Sequence, residues 1–102
     1  ALVASIDDED AIRFVQINVE VMAREQGALD AVVNHTPVIR NNLLMMLGRK
    51  SVDDLTNSEG KEAFRQEALD EVQAILEKMG PTNPDEPVGE VEDLYFTGFM
   101  VQ

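Results

Sequence analysis

The sequence predicts one α+β domain, in which a small antiparallel sheet of about three strands carries three helices in the order β-β-α-α-α-β. Residues 13–22 alternate apolar and polar side chains with a period of two, which is typical of a strand with one buried face. Residues 37–50 and 56–79 repeat their apolar side chains at helical spacing instead. A length of 102 residues is that of a single domain that can bury an independent core.

The first two elements are predicted to pair as an antiparallel hairpin. Residues 2–6 form a short apolar stretch typical of an edge strand, and the four acids at 7–10 form a turn. A calcium loop would need ligands spread over about twelve residues with a Gly at the bend, and that pattern is absent. In the second strand the valines and Ile17 face the core, while Phe14 and Met22 lie on the polar face and cover its ends.

The next two elements are predicted to be a short helix over 28–34 and a central helix over 37–50. Leu29, Val32 and Val33 are expected to point inward from the short helix. Thr36 is a good N-cap for the central helix, with Pro37 at its first position. Because this helix is apolar around most of its circumference, we expect the other elements to pack against it. Its main apolar face consists of Ile39, Leu43, Met46 and Leu47.

The second half of the chain predicts a long helix and a final strand. Residues 51–54 have an S-x-x-D capping pattern and open a short helical turn, and Thr56 with Glu59 forms a T-x-x-E cap for the helix that ends near Met79. Three prolines make 81–87 a loop. Residues 91–101 are apolar on both faces in their second half, which is typical of an interior strand, and the second face is expected to be covered by another subunit.

The charge distribution argues against several partners. Residues 1–50 hold seven acids and five bases, whereas 51–102 hold thirteen acids and three bases, within a total charge of −12. This charge would repel nucleic acid and an anionic membrane surface. The negative charge either keeps the chain soluble or forms a surface that binds a basic partner. The longest apolar run, 43–47, is too short to span a bilayer, the N-terminal residues do not resemble a signal peptide, and the absence of Cys excludes disulfides.

No catalytic or cofactor-binding pattern is present in the sequence. His35 is the single histidine, and the sequence offers no partners for a metal site or for His-based catalysis, so it is interpreted as structural or exposed. There is no phosphate-binding glycine motif. We therefore predict that the chain is not an enzyme and holds no cofactor or metal, with a small carboxylate-based hydrolase as the weakest alternative.

Three stretches together resemble one protein family. Residues 91–102, VEDLYFTGFMVQ, resemble the C-terminal signature of the FliL family of flagellar basal-body-associated proteins, which makes Gln102 the expected natural terminus. Residues 36–44, TPVIRNNLL, resemble the family's P-x-I-R-N-x-L-L helix start. Residues 52–61, VDDLTNSEGK, resemble its V-x-D-L-x-T-x-E-G-K segment. The similarity runs from about Phe14 to Gln102, and Gly98 and the 81–87 loop depart from the pattern.

The resemblance implies an SPFH-like, stomatin-like fold and a structural role at the flagellar motor. It implies that residues 1–102 are a single periplasmic domain, held at the basal body by an N-terminal transmembrane helix in the inner membrane. The implied partners are the flagellar stator complex, of the MotA/MotB or PomA/PomB type, and further copies of the full-length protein in a ring. The alternative is a generic acidic stomatin-like scaffold unrelated to motility. The family motifs fall on residues interpreted as mostly structural: Pro37, Ile39, Arg40, Asn41, Leu43, Leu55, Glu59, Gly60, Tyr95, Phe96, Thr97, Phe99 and Gln102.

Overall fold

The computed structural model describes residues 2–8, 11–80 and 89–102 of the chain. The described residues form an α+β fold with one three-stranded antiparallel sheet, as predicted, and four helices. The fourth helix is the turn predicted at 51–54, which is long enough to stand as an element. The elements in chain order are β1 (Leu2–Asp8), β2 (Ala11–Ala23), α1 (Gln26–Asn34), α2 (Thr36–Gly48), α3 (Val52–Thr56), α4 (Ser58–Met79) and β3 (Val91–Val101).

The sheet has the order β1-β2-β3, so β2 is its central strand. The predicted hairpin is confirmed, because β1 pairs antiparallel with β2 from Leu2 opposite Ile17 to Asp8 opposite Ala11. Asp7 and Asp8 therefore belong to β1 and not to the predicted acidic turn, whose other two residues lie outside the described residues. The predicted loop at 81–87 also lies outside them.

The prediction that the last strand is interior to the sheet is wrong, although both of its faces do carry apolar side chains, with Phe96, Phe99 and Val101 toward the core and Tyr95 and Met100 exposed. β3 is an edge strand, and its pairing with β2 shifts register between Asn18 and Val19 and again between Met22 and Ala23. Each shift is a bulge, where one extra residue in β3 resets which face the following side chains occupy. As a result Phe96 and Phe99, three residues apart, both pack against the core.

The helices form one layer on one face of the sheet. The predicted inward face of α2 is confirmed, since all four of its apolar residues are buried. However, α4 rather than α2 contacts the most elements: it packs against α1, α2, α3 and β3. The physical reason is length, because α4 has 22 residues and crosses the whole layer. Its buried residues are Phe64, Ala68, Leu69, Val72, Ile75 and Leu76, whereas Met79, predicted on the same face, is exposed.

Two threonines predicted to be helix N-caps make other hydrogen bonds in the structure. The Thr36 hydroxyl donates to the carbonyl of Val32 at 2.9 Å, so it ties α2 back to α1 and does not cap α2. The Thr56 hydroxyl likewise donates backward within α3, and the cap of α4 is Asn57, whose Oδ1 accepts from the Gly60 N–H at 2.6 Å. The capping box predicted at Ser51 is confirmed in α3.

The inward face of α1 differs in part from the prediction, since Val32 packs against the core and Leu29 is half-buried, but Val33 is not inward. Its buried residues are Gly27, Ala28 and Ala31, and Val33 is 74% exposed. Small side chains on the inner face let the α1 backbone approach the core closely. Because the helix is oriented with these small residues inward, the larger Val33 points to solvent.

Candidate interaction surfaces

The face of the sheet opposite the helices carries exposed apolar side chains at one end. Gln16 of β2 lies between Val3 of β1 and Met100 of β3, and Phe14 and Ile12 continue along β2. Phe14 is 55% exposed and Met100 50%. A shallow depression of about 180 Å³ lies among Val3, Phe14, Gln16 and Met100. We call Val3, Ile12, Phe14 and Met100 the open-face patch.

The other end of this face is organised by a polar network around Asp93. Arg65 of α4 donates to Asp93 Oδ1 at 2.6 Å and to the Leu94 carbonyl at 3.1 Å, and the Tyr95 hydroxyl donates to Asp93 Oδ2 at 3.0 Å. The Leu94 N–H, the Tyr95 hydroxyl and Arg65 hold the pKa of the Asp93 carboxyl below its usual value, in that order. The hydrogen bond to Asp93 in turn raises the pKa of Tyr95. This network fixes β3 to α4 and orients the half-exposed Tyr95 ring.

The segment 31–52, which contains α2, is the basic part of an otherwise acidic chain. No Asp or Glu occurs between Asp30 and Asp53, and this span holds Arg40, Arg49 and Lys50. Arg40 and Arg49 are exposed, whereas Lys50 pairs with Glu67 of α4 at 2.9 Å. The chain therefore presents an apolar patch on the sheet face and two exposed basic side chains, Arg40 in α2 and Arg49 just after it.

The comparison with known protein families is decisive for the broad identity. All of residues 1–102 match the family described as flagellar basal body-associated protein FliL.

This chain belongs to the FliL family.

A relative from Aquifex aeolicus (strain VF5), named flagellar protein FliL, is 25% identical over 100 residues. The similarity covers 98% of this chain and 56% of the relative, so the chain spans about half the length of that protein. Membership of the FliL family makes this a flagellar basal-body-associated protein.

The FliL motif residues divide into core and surface positions. Five of them pack in or against the hydrophobic core, and one glycine is needed for close packing of two helices. The core positions are Ile39, Leu43, Leu55, Phe96 and Phe99. The exposed positions are Pro37, Arg40, Asn41, Glu59, Tyr95, Thr97 and Gln102. The structure therefore does not bring the motif residues together as one site.

The F-T-x-F motif is explained by the bulge in β3. Thr97 is the extra residue there, and its presence turns both phenylalanines toward the helices. The Phe96 ring centroid lies 5.3 Å from that of Phe64 and 5.5 Å from that of Phe99, and Lys61 Nζ lies 5.0 Å from the Phe99 centroid. These contacts join β3 to α4. Gly98, inside a strand, was the sequence signal that could have revealed the bulge.

Gly60 of the E-G-K motif is required by the contact between α3 and α4. A Cβ at this position would lie 2.0 Å from the carbonyl oxygen of Asp54. The turn between the two helices is therefore tight enough to exclude any side chain.

The described part of the chain shows no cluster of three or more His, Asp or Glu side chains placed to bind a metal ion. His35 lies half-buried at the junction of α1 and α2, and its Nε2 has no hydrogen-bond partner among the described residues. Among those same residues, none of the helices combines the length and apolar character needed to cross a bilayer.

Proposed function

We propose that this chain is the periplasmic domain of a non-enzymatic flagellar motor protein that associates with the stator complex and supports stator function and motility. The observation that carries the proposal is the match of the whole chain to the FliL family. In this proposal residues 1–102 form one domain, and a single transmembrane helix elsewhere in a longer protein holds it at the inner membrane. The partner is a stator of the MotA/MotB or PomA/PomB type.

Self-association of full-length copies into a ring around the stator is the second part of the proposal. The open-face patch supports it, because exposed apolar side chains grouped on one sheet face mark interaction sites. The charge of −12 opposes association of isolated copies in solution. Anchoring in a membrane raises their effective concentration and lets weak contacts form.

The competing function is a generic acidic scaffold unrelated to motility. It would use the same fold and the same surfaces, so the domain alone does not separate the two. The family match favours the flagellar role, because the matched family is defined by association with the basal body.

Cysteine cross-linking in cells tests the ring, because the described domain has no native cysteine. Phe14→Cys and Met100→Cys lie in the open-face patch, and Gln66→Cys on the exposed side of α4 is the matched control. In the full-length protein the first two variants should cross-link to a second copy or to a stator subunit and should reduce swimming. Equal cross-linking at the control position, or none at either patch position in a protein present at the motor, would contradict the ring.

A further inference from the structure

The central strand β2 is longer than the strand that pairs with one of its edges. The described pairing of β1 with β2 ends where Leu2 lies opposite Ile17, whereas β2 itself continues to Ala23. On the other side, β3 pairs with β2 as far as Ala23. Among the described residues, positions 18–23 of β2 therefore have a strand on one edge only.

The backbone groups along this free edge are identified by the alternation of hydrogen bonds. Phe14 exchanges both of its backbone hydrogen bonds with Gln102 at the β3 side. In an antiparallel strand successive residues point their N–H and C=O groups to opposite sides, so odd-numbered residues of β2 point toward β1. The N–H and C=O groups of Val19 and Val21 thus face outward with no described strand beside them. Such groups are a template for another strand.

An apolar cavity lies beside the same edge, on the helix-facing side of the sheet. Its volume is about 190 Å³. Leu2, Val19 and Val21 line it together with Ile39 and Leu43 of α2, and its two polar members are Thr36 and Arg40. In β1 the helix-facing side chains are Leu2, Ala4 and Ile6. Leu2 lies opposite Ile17, and each step back from Leu2 advances one residue along β2. In this register the second residue before Leu2 would lie opposite Val19, and the fourth would lie opposite Val21. Side chains at those two positions would point toward the cavity.

We propose that residues preceding Ala1 in the longer protein pair with β2 along Val19 to Ala23, in the register of β1, and fill this cavity with apolar side chains. The proposal rests on the proposed function, in which a longer protein carries this domain. It commits to a segment of the same chain because β1 already runs antiparallel to β2 in the required register. A tethered segment also avoids the loss of translational freedom that a separate peptide would suffer on binding.

Paired cysteines in the full-length protein test the extension and its register. Val21→Cys combined with a cysteine at the fourth residue before Leu2 places both thiols on the helix-facing side, and Glu20→Cys combined with the third residue places both on the open side. The mixed pairs are the matched controls, since a shift of one residue reverses the face. The two in-register pairs should form an intramolecular disulfide several-fold faster than the mixed pairs. Equal rates in all four variants, or disulfides only between copies, would overturn the proposal.

Hydrogen exchange on the unsubstituted full-length protein tests the extension without any substitution that could disturb folding. The amides of Val19 and Val21 should be protected to the same degree as those of Val15 and Ile17, which pair with β1. Their rapid exchange, with Val15 and Ile17 protected, would overturn the extension. Protection in a protein that does not locate to motors would retain the extension and reject the proposed function, so the two failures are distinguishable.

Discussion

Replacing Gly60 with alanine tests the tight contact between α3 and α4. Gly60 lies in the first turn of α4, and a Cβ there would lie 2.0 Å from the oxygen, 2.7 Å from the carbon and 2.9 Å from the Cα of Asp54. All three atoms belong to the backbone, so no side-chain rotation relieves the overlap. One helix must move by roughly 1 Å relative to the other in a packed structure of low compressibility.

Two opposing effects set the size of the change. Alanine is favoured over glycine within a helix by up to about 1 kcal/mol. Overpacking of this kind costs about 1–3 kcal/mol, and the upper part of that range applies because backbone must shift. Movement of α3 would also disturb Leu55, which is fully buried beside the contact. We expect Gly60→Ala to lower the free energy of unfolding by about 2 kcal/mol, or the Tm by about 10 °C for a domain of this size.

Gly48 in α2 is the matched control. A Cβ there would meet nothing within 4 Å, so Gly48→Ala should raise stability by about 0.5 kcal/mol through helix propensity alone. Urea unfolding followed by circular dichroism measures both variants. If Gly60→Ala is as stable as the parent or more so, the close approach of α3 and α4 is refuted, and the structural explanation of the E-G-K motif fails with it.

Three further predictions concern the core, the polar network and the cap of α4. Leu43→Asp should lower the free energy of unfolding by about 4 kcal/mol or more, because it buries an unpaired charge, whereas Met45→Asp at an exposed position should change it by less than about 0.5 kcal/mol in a urea titration. The pKa of Asp93 is lowered in the folded chain from 3.8, so its stabilising effect is complete above that pH and is lost as the pH falls below it. Asp93→Asn should therefore weaken the dependence of Tm on pH below about pH 4, and an unchanged slope would contradict the network. Asn57→Ala should cost about 1 kcal/mol of stability and Thr56→Ala clearly less, and the reverse order would restore the cap expected from the sequence.

The sequence was sufficient for the elements whose pattern has one physical explanation. Strict alternation in β2 and the apolar face of α2 follow from burial on one side, and both are confirmed. The capping box at Ser51 is local chemistry and is also confirmed. These features depend on residues close together in the chain, so a single sequence reveals them.

The features that could not be predicted are those for which the local sequence allows two structures of similar stability, such as two possible helix caps or a regular and a bulged strand. Thr56 and Asn57 are both good caps, and tertiary packing decides in favour of Asn57. A period-two pattern assumes a regular strand, so it places Phe96 and Phe99 on opposite faces, whereas the bulge at Thr97 puts both on the core side. Of the open-face patch, the sequence indicated only Phe14 as an apolar side chain on the polar face of β2, because the contributions of Val3 and Met100 depend on which residues of the neighbouring strands pair with β2.

Fluorescence imaging of the full-length protein and the stator in swimming cells tests the proposed function most directly. The protein should form foci at flagellar motors, these foci should be lost when the stator is deleted, and cells without the protein should swim poorly in viscous medium. Foci that are unaffected by stator deletion, together with normal swimming under load in the deletion strain, would contradict a stator-associated role.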